Sequence, residues 1–211
     1  LATLYDNHRL GRPTALPLLS IQYADYAVWQ RSQAEAVFEA EVDYWREQLD
    51  DAPPLLNLPL DKPRPPVETH TGATRSLQLD TQLAERLNAL AMSQGCTLFV
   101  LLLAALQALL HRYSGEDDLV VGTPISGRQR SEFEGLIGFF LNTLAIRTDA
   151  SGNPAFSELL SHVKDSTLGA FAHQDLPFEK LVEELHPVRN LSHAPIFQVL
   201  FVLNHLSREE T

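Results

Sequence analysis

The sequence predicts an α/β or α+β layered domain, and three observations carry that prediction. Short strand-like runs are interspersed with longer runs of helical apolar spacing, in the order strand, helix, helix, strand, strand, helix, strand. Residues 98–113 are apolar almost all round, the signature of a buried helix. Residues 196–204, IFQVLFVLN, are too apolar to face water and read as a central strand. With 211 residues, 45% of them apolar, the chain has material for a sizeable core.

Taken in order, LATLY at residues 1–5 looks like the tail of an amphipathic helix, broken by Gly11 and Pro13. Ser20 is a candidate N-cap for the next helical stretch. Ile21, Ala24 and Val28, then Val37, Phe38, Val42, Trp45 and Leu49, recur at helical spacing, as one long helix or two in tandem. Trp29, Tyr44 and Trp45 are large aromatic groups that need a surface to pack on. Residues 51–72 hold Pro53, Pro54, Pro59, Pro63, Pro65 and Pro66, six of the 13 prolines, so they form an extended, stiff connector and the main boundary.

Beyond the connector, ATRSLQLD at 73–80 alternates and reads as a strand. Asp80 or Thr81 caps a helix with Leu83, Leu87, Leu90 and Ala91 on one face, stopped by Gly95. Thr97 caps the buried helix, and Gly115 ends it. Asn153 and Pro154 start a third helix with Phe156, Leu159, Leu160, Val163, Leu168 and Phe171 on its stripe. HQDLPFE at 173–179 interrupts it. Asp175 reads as the cap of a short helix carrying Phe178, Leu181, Val182 and Leu185, stopped at Pro187.

The segment 121–147 organises the rest. Strand-like runs at 118–122 and 141–147 flank a loop with Gly122, Gly127, Gly135, Gly138, Arg128, Arg130, Glu132 and Glu134. Loops of that length are uncommon unless they carry function or are disordered. Arg128 has two readings, an internal carboxylate partner or a place in solvent. Asn142 and Thr143, a polar pair in an apolar strand, either tie two elements together or face a ligand channel.

Composition excludes several classes. Net charge is −11 with no Lys/Arg run, which argues against nucleic-acid binding. The single Cys96 forms no internal disulfide and fits a reducing, cytoplasmic setting. No apolar run reaches the ~20 residues of a membrane span. The eight histidines are scattered, and no metal-ligand cluster, GxSxG elbow or phosphate-cradling loop occurs. From the residues alone two classes stay open: an enzyme with a cleft near the central loop, and a binding or scaffold module.

Four blocks together resemble the condensation domains of nonribosomal peptide synthetases: YADYAVW at 23–29, IGFFLNTLAIR at 137–147, HQDLPFE at 173–179 and RNLSHAPI at 189–196, with VGTPISGR at 121–128 in the expected place. The departures are Tyr26 for Phe, Leu141 for Val, Asn190 for Asp, His193 and Ala194 for Arg-Asn, and Ile196 for Leu. The family's HHxxxDG motif, which precedes the first block, is not in this sequence. The resemblance therefore implies the central and C-terminal part of such a domain, cut at both ends, with no catalytic residue in this chain.

Further expectations follow from the resemblance. The implied fold is chloramphenicol-acetyltransferase-like, a mixed sheet flanked by helices, with two halves around a reaction tunnel. Residues 1–50 would belong with the first half, 51–72 to the connector and 73–211 to an incomplete second half. The implied reaction joins a donor aminoacyl or peptidyl thioester to an acceptor amine, both carried on phosphopantetheine arms of peptidyl carrier proteins. No cofactor or metal would bind this chain directly. Ser126 and Arg128 would lie near the cleft, Asn142 and Thr143 at the seam between halves, and Gln174 and Asp175 would orient the adjoining loop. Partners would be carrier proteins, a neighbouring adenylation domain and the other half of the domain, and the polypeptide alone is expected to be inactive and to self-associate. An epimerization domain, or a noncatalytic docking platform for carrier proteins, are the alternatives.

Overall fold

The computed structural model describes all residues except Leu1, Thr14, Ala15, Pro17, 33–35, Val188, Arg189 and 205–211, and leaves out the side chains of Ala36 and Val37. Leu1 of the expected first helix and Arg189 of the RNLSHAPI block therefore lie outside the described residues. The chain forms two compact units, Leu1–Ala34 with Arg128–Phe140, and Glu35–Gly127 with Leu141–Thr211.

The first unit holds α1 (Ala2–Arg9), α2 (Tyr23–Ser32) and a short α6 (Ser131–Glu134) from the central loop. Gly11, at φ 61, follows α1 as expected of a breaker. Ser20 does not cap α2; Asp25 Oδ2 instead accepts from the Gln22 N–H at 2.8 Å, because the helix begins later, at Tyr23. The unit's core is aromatic. Tyr26, Phe133, Leu136 and Phe140 are buried together, with Tyr26 packed edge-on to Phe133 at 5.0 Å. Tyr23 lies so close to Gly138 that a Cβ there would stand 2.1 Å from its ring. Glycine is needed at that position for the approach itself, and the Tyr23 hydroxyl donates to the Phe139 carbonyl at 3.0 Å.

The second unit contains α3 (Ala36–Gln48), α4 (Thr81–Ser93), α5 (Leu98–Ser114), β1 (Asp118–Ser126), β2 (Leu141–Asp149), α7 (Phe156–Ala172) and α8 (Phe178–Leu185). Of the two readings, one long helix or two in tandem, the structure has two, α2 and α3. Asp80 Oδ1 accepts from Leu83 N at 2.6 Å and Thr97 Oγ1 from Val100 N at 3.3 Å, so both predicted caps form. Gly115 ends α5 in the left-handed conformation, φ 73, with its N–H on the His111 carbonyl. Val100, Leu101, Leu103, Ala104 and Leu110 are buried, but Leu109 and Tyr113 face outward, so α5 has one uncovered stripe. On α7 the buried stripe is Leu159, Leu160, Val163, Thr167 and Ala170; Phe156, Leu168 and Phe171, expected on it, are exposed. Among the described residues no single helix is long and apolar enough to cross a membrane.

β1 and β2 pair antiparallel from Asp118↔Asp149 to Ser126↔Leu141. A third stretch runs parallel to β1 on its other side, joined by Gly122 N–H to Val199 O (2.9 Å) and Phe201 N–H to Gly122 O (2.8 Å). The pairing is therefore mixed. The predicted strand at 196–204 shrinks to this single bridge at Leu200. Ile196 adopts φ 68 and Phe197 turns back onto the Pro195 carbonyl, which breaks the extended run before it starts. The predicted strand at 73–80 carries no ladder and is exposed throughout. Its alternation supplies a face but no partner, and a strand needs both. The connector forms neither helix nor strand and lies along this unit: Leu56 N–H donates to Gln198 Oε1 at 2.8 Å, and Asn57 Nδ2 to Glu116 Oε1 at 2.5 Å.

Candidate functional site

Four backbone groups of the second unit converge on the side chain of Asn142, early in β2. Its Nδ2 donates to the carbonyls of Gln174 (2.9 Å) and Leu176 (2.8 Å). Its Oδ1 accepts from the N–H groups of Thr143 (2.8 Å) and Phe178 (2.9 Å). An amide side chain has two donors and two acceptor sites, and here all four are used on backbone. The first turn of a helix has unpaired N–H groups. Phe178 N–H at the start of α8 is one of them, and Asn142 satisfies it from another element. Asp175 is therefore not the N-cap of α8; that residue is Pro177, and the helix starts after it.

The same turn is gripped from the other side by α3. Glu41, Tyr44 and Trp45 lie at i, i+3 and i+4, on one face of the helix. Glu41 Oε1 lies 3.2 Å from His173 Nδ1. Tyr44 stacks on the His173 ring with centroids 3.8 Å apart and planes 12° apart. Trp45, fully buried, donates its indole N–H to the His173 carbonyl at 2.9 Å. Burial raises the Glu41 carboxyl above its ordinary pKa, with Asp175 adding to the shift and His173 opposing it. Burial likewise raises the Tyr44 hydroxyl.

Arg147, at the far end of β2, makes a fork onto Asp118 (Nε to Oδ1 2.9 Å, Nη2 to Oδ2 2.7 Å). Its Nη1 also donates to the carbonyls of Gln48 and Asp50, at and just past the end of α3. A guanidinium suits that place, since helix C-terminal carbonyls lack partners and carry partial negative charge. The bonds to Asp118 hold the Arg147 pKa above its ordinary value.

The predicted residues fall into three places. Asn142, Thr143, Gln174 and Asp175 come together at the turn, joined by the contacts above. Gln174 Nε2 also donates to the Phe171 carbonyl at 2.8 Å, closing the end of α7. Ser126 is exposed at the end of β1, opposite Leu141. Arg128 belongs to the first unit, where it donates to the carbonyls of Phe133 and Glu134 at the end of α6 and lies 4.2 Å over the Phe140 ring. Its partners are carbonyls and an aromatic face, in place of the carboxylate that one reading expected. Sequence reasoning did not single out Glu41, His173 or Arg147. Helical spacing carried the signal for Glu41, because it puts that residue beside the two aromatic groups already marked as needing a surface.

Among the described residues no group of three or more His, Cys, Asp or Glu side chains is placed to hold a metal ion. The contacts around the turn position backbone.

Comparison with known proteins places this geometry in a family. A family model described as Condensation domain matches residues 1–211. One of the linear gramicidin synthase subunits of Brevibacillus parabrevis is 51% identical over 99% of this chain, which spans 3% of that protein. The X-domain from teicoplanin biosynthesis superposes with a TM-score of 0.86 at 32% identity, over 94% of this chain and 46% of that one. The same domain in complex with OxyB gives 0.85 at 33%, over 94% and 45%. The first condensation domain of the calcium-dependent antibiotic synthetase, solved with a substrate analogue, gives 0.69 at 23%, over 98% and 44%, and shares the fold. The chain thus spans a small fraction of its curated relative and just under half of these structures. With its mixed pairing, flanking helices and chloramphenicol-acetyltransferase-like fold, the chain belongs to the condensation-domain family of nonribosomal peptide synthetases.

Proposed function

We propose that this chain is the part of a condensation domain that forms one wall of the reaction path, in a protein that joins a donor thioester to an acceptor amine on carrier-protein phosphopantetheine arms. One observation supports the reading above others: the Asn142 side chain bonds β2, which carries the LNTLAIR end of one family block, to the HQDLPFE block, so the two are tied together within the second unit. Because all four bonding positions of Asn142 are taken by backbone, its role is to hold the wall and not to touch substrate. Thr143, Gln174 and Asp175 share that role. Ser126, exposed in the last strand pair, faces the path, and Arg128 shapes the central loop from the α6 end. The amine-positioning histidine belongs to HHxxxDG, outside this sequence, so the 211 residues alone form no peptide bond. Carrier proteins and a neighbouring adenylation domain are the partners and the cytoplasm the compartment. Self-association of the isolated polypeptide is supported by the exposed Leu200 and Val202 beside β1.

The test mixes donor-loaded and acceptor-loaded carrier proteins with the intact domain, or with the 211 residues alone, and follows dipeptidyl thioester by mass spectrometry. Product from the intact domain only is expected; product from the polypeptide alone above the enzyme-free rate refutes the assignment. A second reading, a noncatalytic docking platform, is favoured by the likeness to the X-domain, which has been solved in complex with OxyB. Retained carrier binding without product from the intact domain would select it.

A further inference from the structure

His173 is held more tightly than a residue in a turn requires. Its ring lies against Tyr44 at 3.8 Å, its Nδ1 faces Glu41 Oε1 at 3.2 Å, and its carbonyl takes the Trp45 indole N–H. All three partners come from one face of α3. Tyr44 is itself wedged in place: a Cβ on Gly169 of α7 would stand 2.5 Å from its hydroxyl, so the glycine makes room for the ring. Glu41 is mostly buried, and its second oxygen, Oε2, is buried without a hydrogen-bond partner. Burying a carboxylate with half its acceptors unused is costly, and the contact with the imidazole offsets part of that cost. A carboxylate only accepts hydrogen bonds, so in the neutral ring Nδ1 carries the proton and Nε2 is left as an acceptor, on a side chain that remains one-third exposed. On the far side of the turn, Asn142 fixes the carbonyls of Gln174 and Leu176.

We propose that Glu41 and Tyr44 are positioning residues of this domain: they lock the His173 ring with its proton on Nδ1 and thereby set the path of Gln174 and Asp175 along the wall. This rests on the reading that the turn borders the reaction path. Neither residue touches substrate; both act through His173. Tyr44 supplies the plane and Glu41 the rotation about it, a division of labour by which a second layer of side chains orients a first.

The experiment uses the intact domain with ¹⁵N-labelled histidine. Long-range ¹H–¹⁵N correlation of the His173 ring, at a pH where the ring is neutral, is expected to show the Nδ1–H tautomer. Glu41→Gln keeps an accepting oxygen and keeps that tautomer, whereas Glu41→Ala moves the ring toward Nε2–H. In amide formation, Glu41→Ala and Tyr44→Ala lower kcat about 10-fold with KM for the carrier-bound substrates within about twofold, and Glu41→Gln and Tyr44→Phe rescue kcat to within about twofold of wild type. Should the alanine variants not fold, Glu41→Asp, one methylene short of the ring, carries the same expectation. An Nε2–H tautomer in the wild type, a Glu41→Ala spectrum identical to it, or a wild-type kcat in Glu41→Ala overturns the proposal. If the tautomer responds to Glu41 while the wild-type domain makes no amide, the locked ring stands and the proposed reaction falls.

Discussion

Replacing Asn142 by alanine is the sharpest test of how the turn is held. The substitution removes four hydrogen bonds of 2.8–2.9 Å in one step. A hydrogen bond of this kind contributes about 0.5–1.5 kcal/mol net, and a buried group left unpaired costs about 1–3 kcal/mol. Asn142 is half-buried, so water recovers part of the loss at the freed carbonyls, and the sum is about 2–4 kcal/mol. The intact domain is about twice the length of this chain, so that corresponds to a fall in melting temperature of about 2–5 °C. Calorimetry and urea unfolding of the intact domain read it directly. Asn142→Asp is the control. One oxygen keeps both N–H contacts, but the other faces two carbonyl oxygens, so the variant is at least as unstable as alanine at neutral pH. Those carbonyls raise the pKa of the introduced carboxyl in the folded state, so the folded protein binds the proton more readily. Stability of Asn142→Asp relative to wild type therefore rises as pH falls and the carboxyl becomes a donor. A loss below about 0.5 kcal/mol for Asn142→Ala would show that Gln174, Leu176 and Phe178 are held by something else, and the argument that Asn142 ties the two blocks together would collapse.

Three further expectations test other parts of the second unit. Gly122→Ala places a Cβ 2.2 Å from the Phe197 ring and should cost about 1–3 kcal/mol; Phe197→Leu in the same chain should recover part of it, and additive losses would mean the two do not touch. Arg147→Lys keeps the charge but not the fork, so it should lose most of what Arg147→Ala loses, about 1–2 kcal/mol by urea unfolding, and a fully stable lysine variant would refute the bidentate reading. Asp149 has its pKa lowered, first by the backbone N–H of Ser151, so its stabilising contribution is complete above the unfolded-state pKa and lost as pH falls through the folded one; melting curves across the acid limb should show a smaller pH dependence in Asp149→Asn, and an unchanged limb refutes the assignment.

Local signals in this chain were legible because they need only neighbours in sequence. Asp80 and Thr97 cap their helices, Gly115 closes α5, and the strands read at 118–122 and 141–147 form, each extended by a few residues to 118–126 and 141–149; all are governed by groups within a few residues or by a local apolar run. The family was legible for a related reason: its blocks are contiguous strings. The strands at 73–80 and 196–204 were misjudged because apolar alternation says which face is buried, while a ladder requires a neighbour that no local pattern names. Asp175 failed as a cap for the same reason. The group that satisfies the first turn of α8 is Asn142, 36 residues earlier, and only tertiary structure brings it there.

Helices, the caps at Asp80 and Thr97, the aromatic groups in need of a surface and the membership of a family are thus written in the order of residues, since each rests on periodicity, on a local contact or on an unbroken motif. What tertiary structure alone decided is which polar groups meet. It turned Asn142 from a residue with two readings into a fourfold backbone bracket. It assigned Arg128 to carbonyls and an aromatic face. And it brought Glu41 to His173 across 132 residues of chain. Hydrogen bonds are short and directional, so their partners depend on the path of the whole backbone, which no spacing in the sequence encodes.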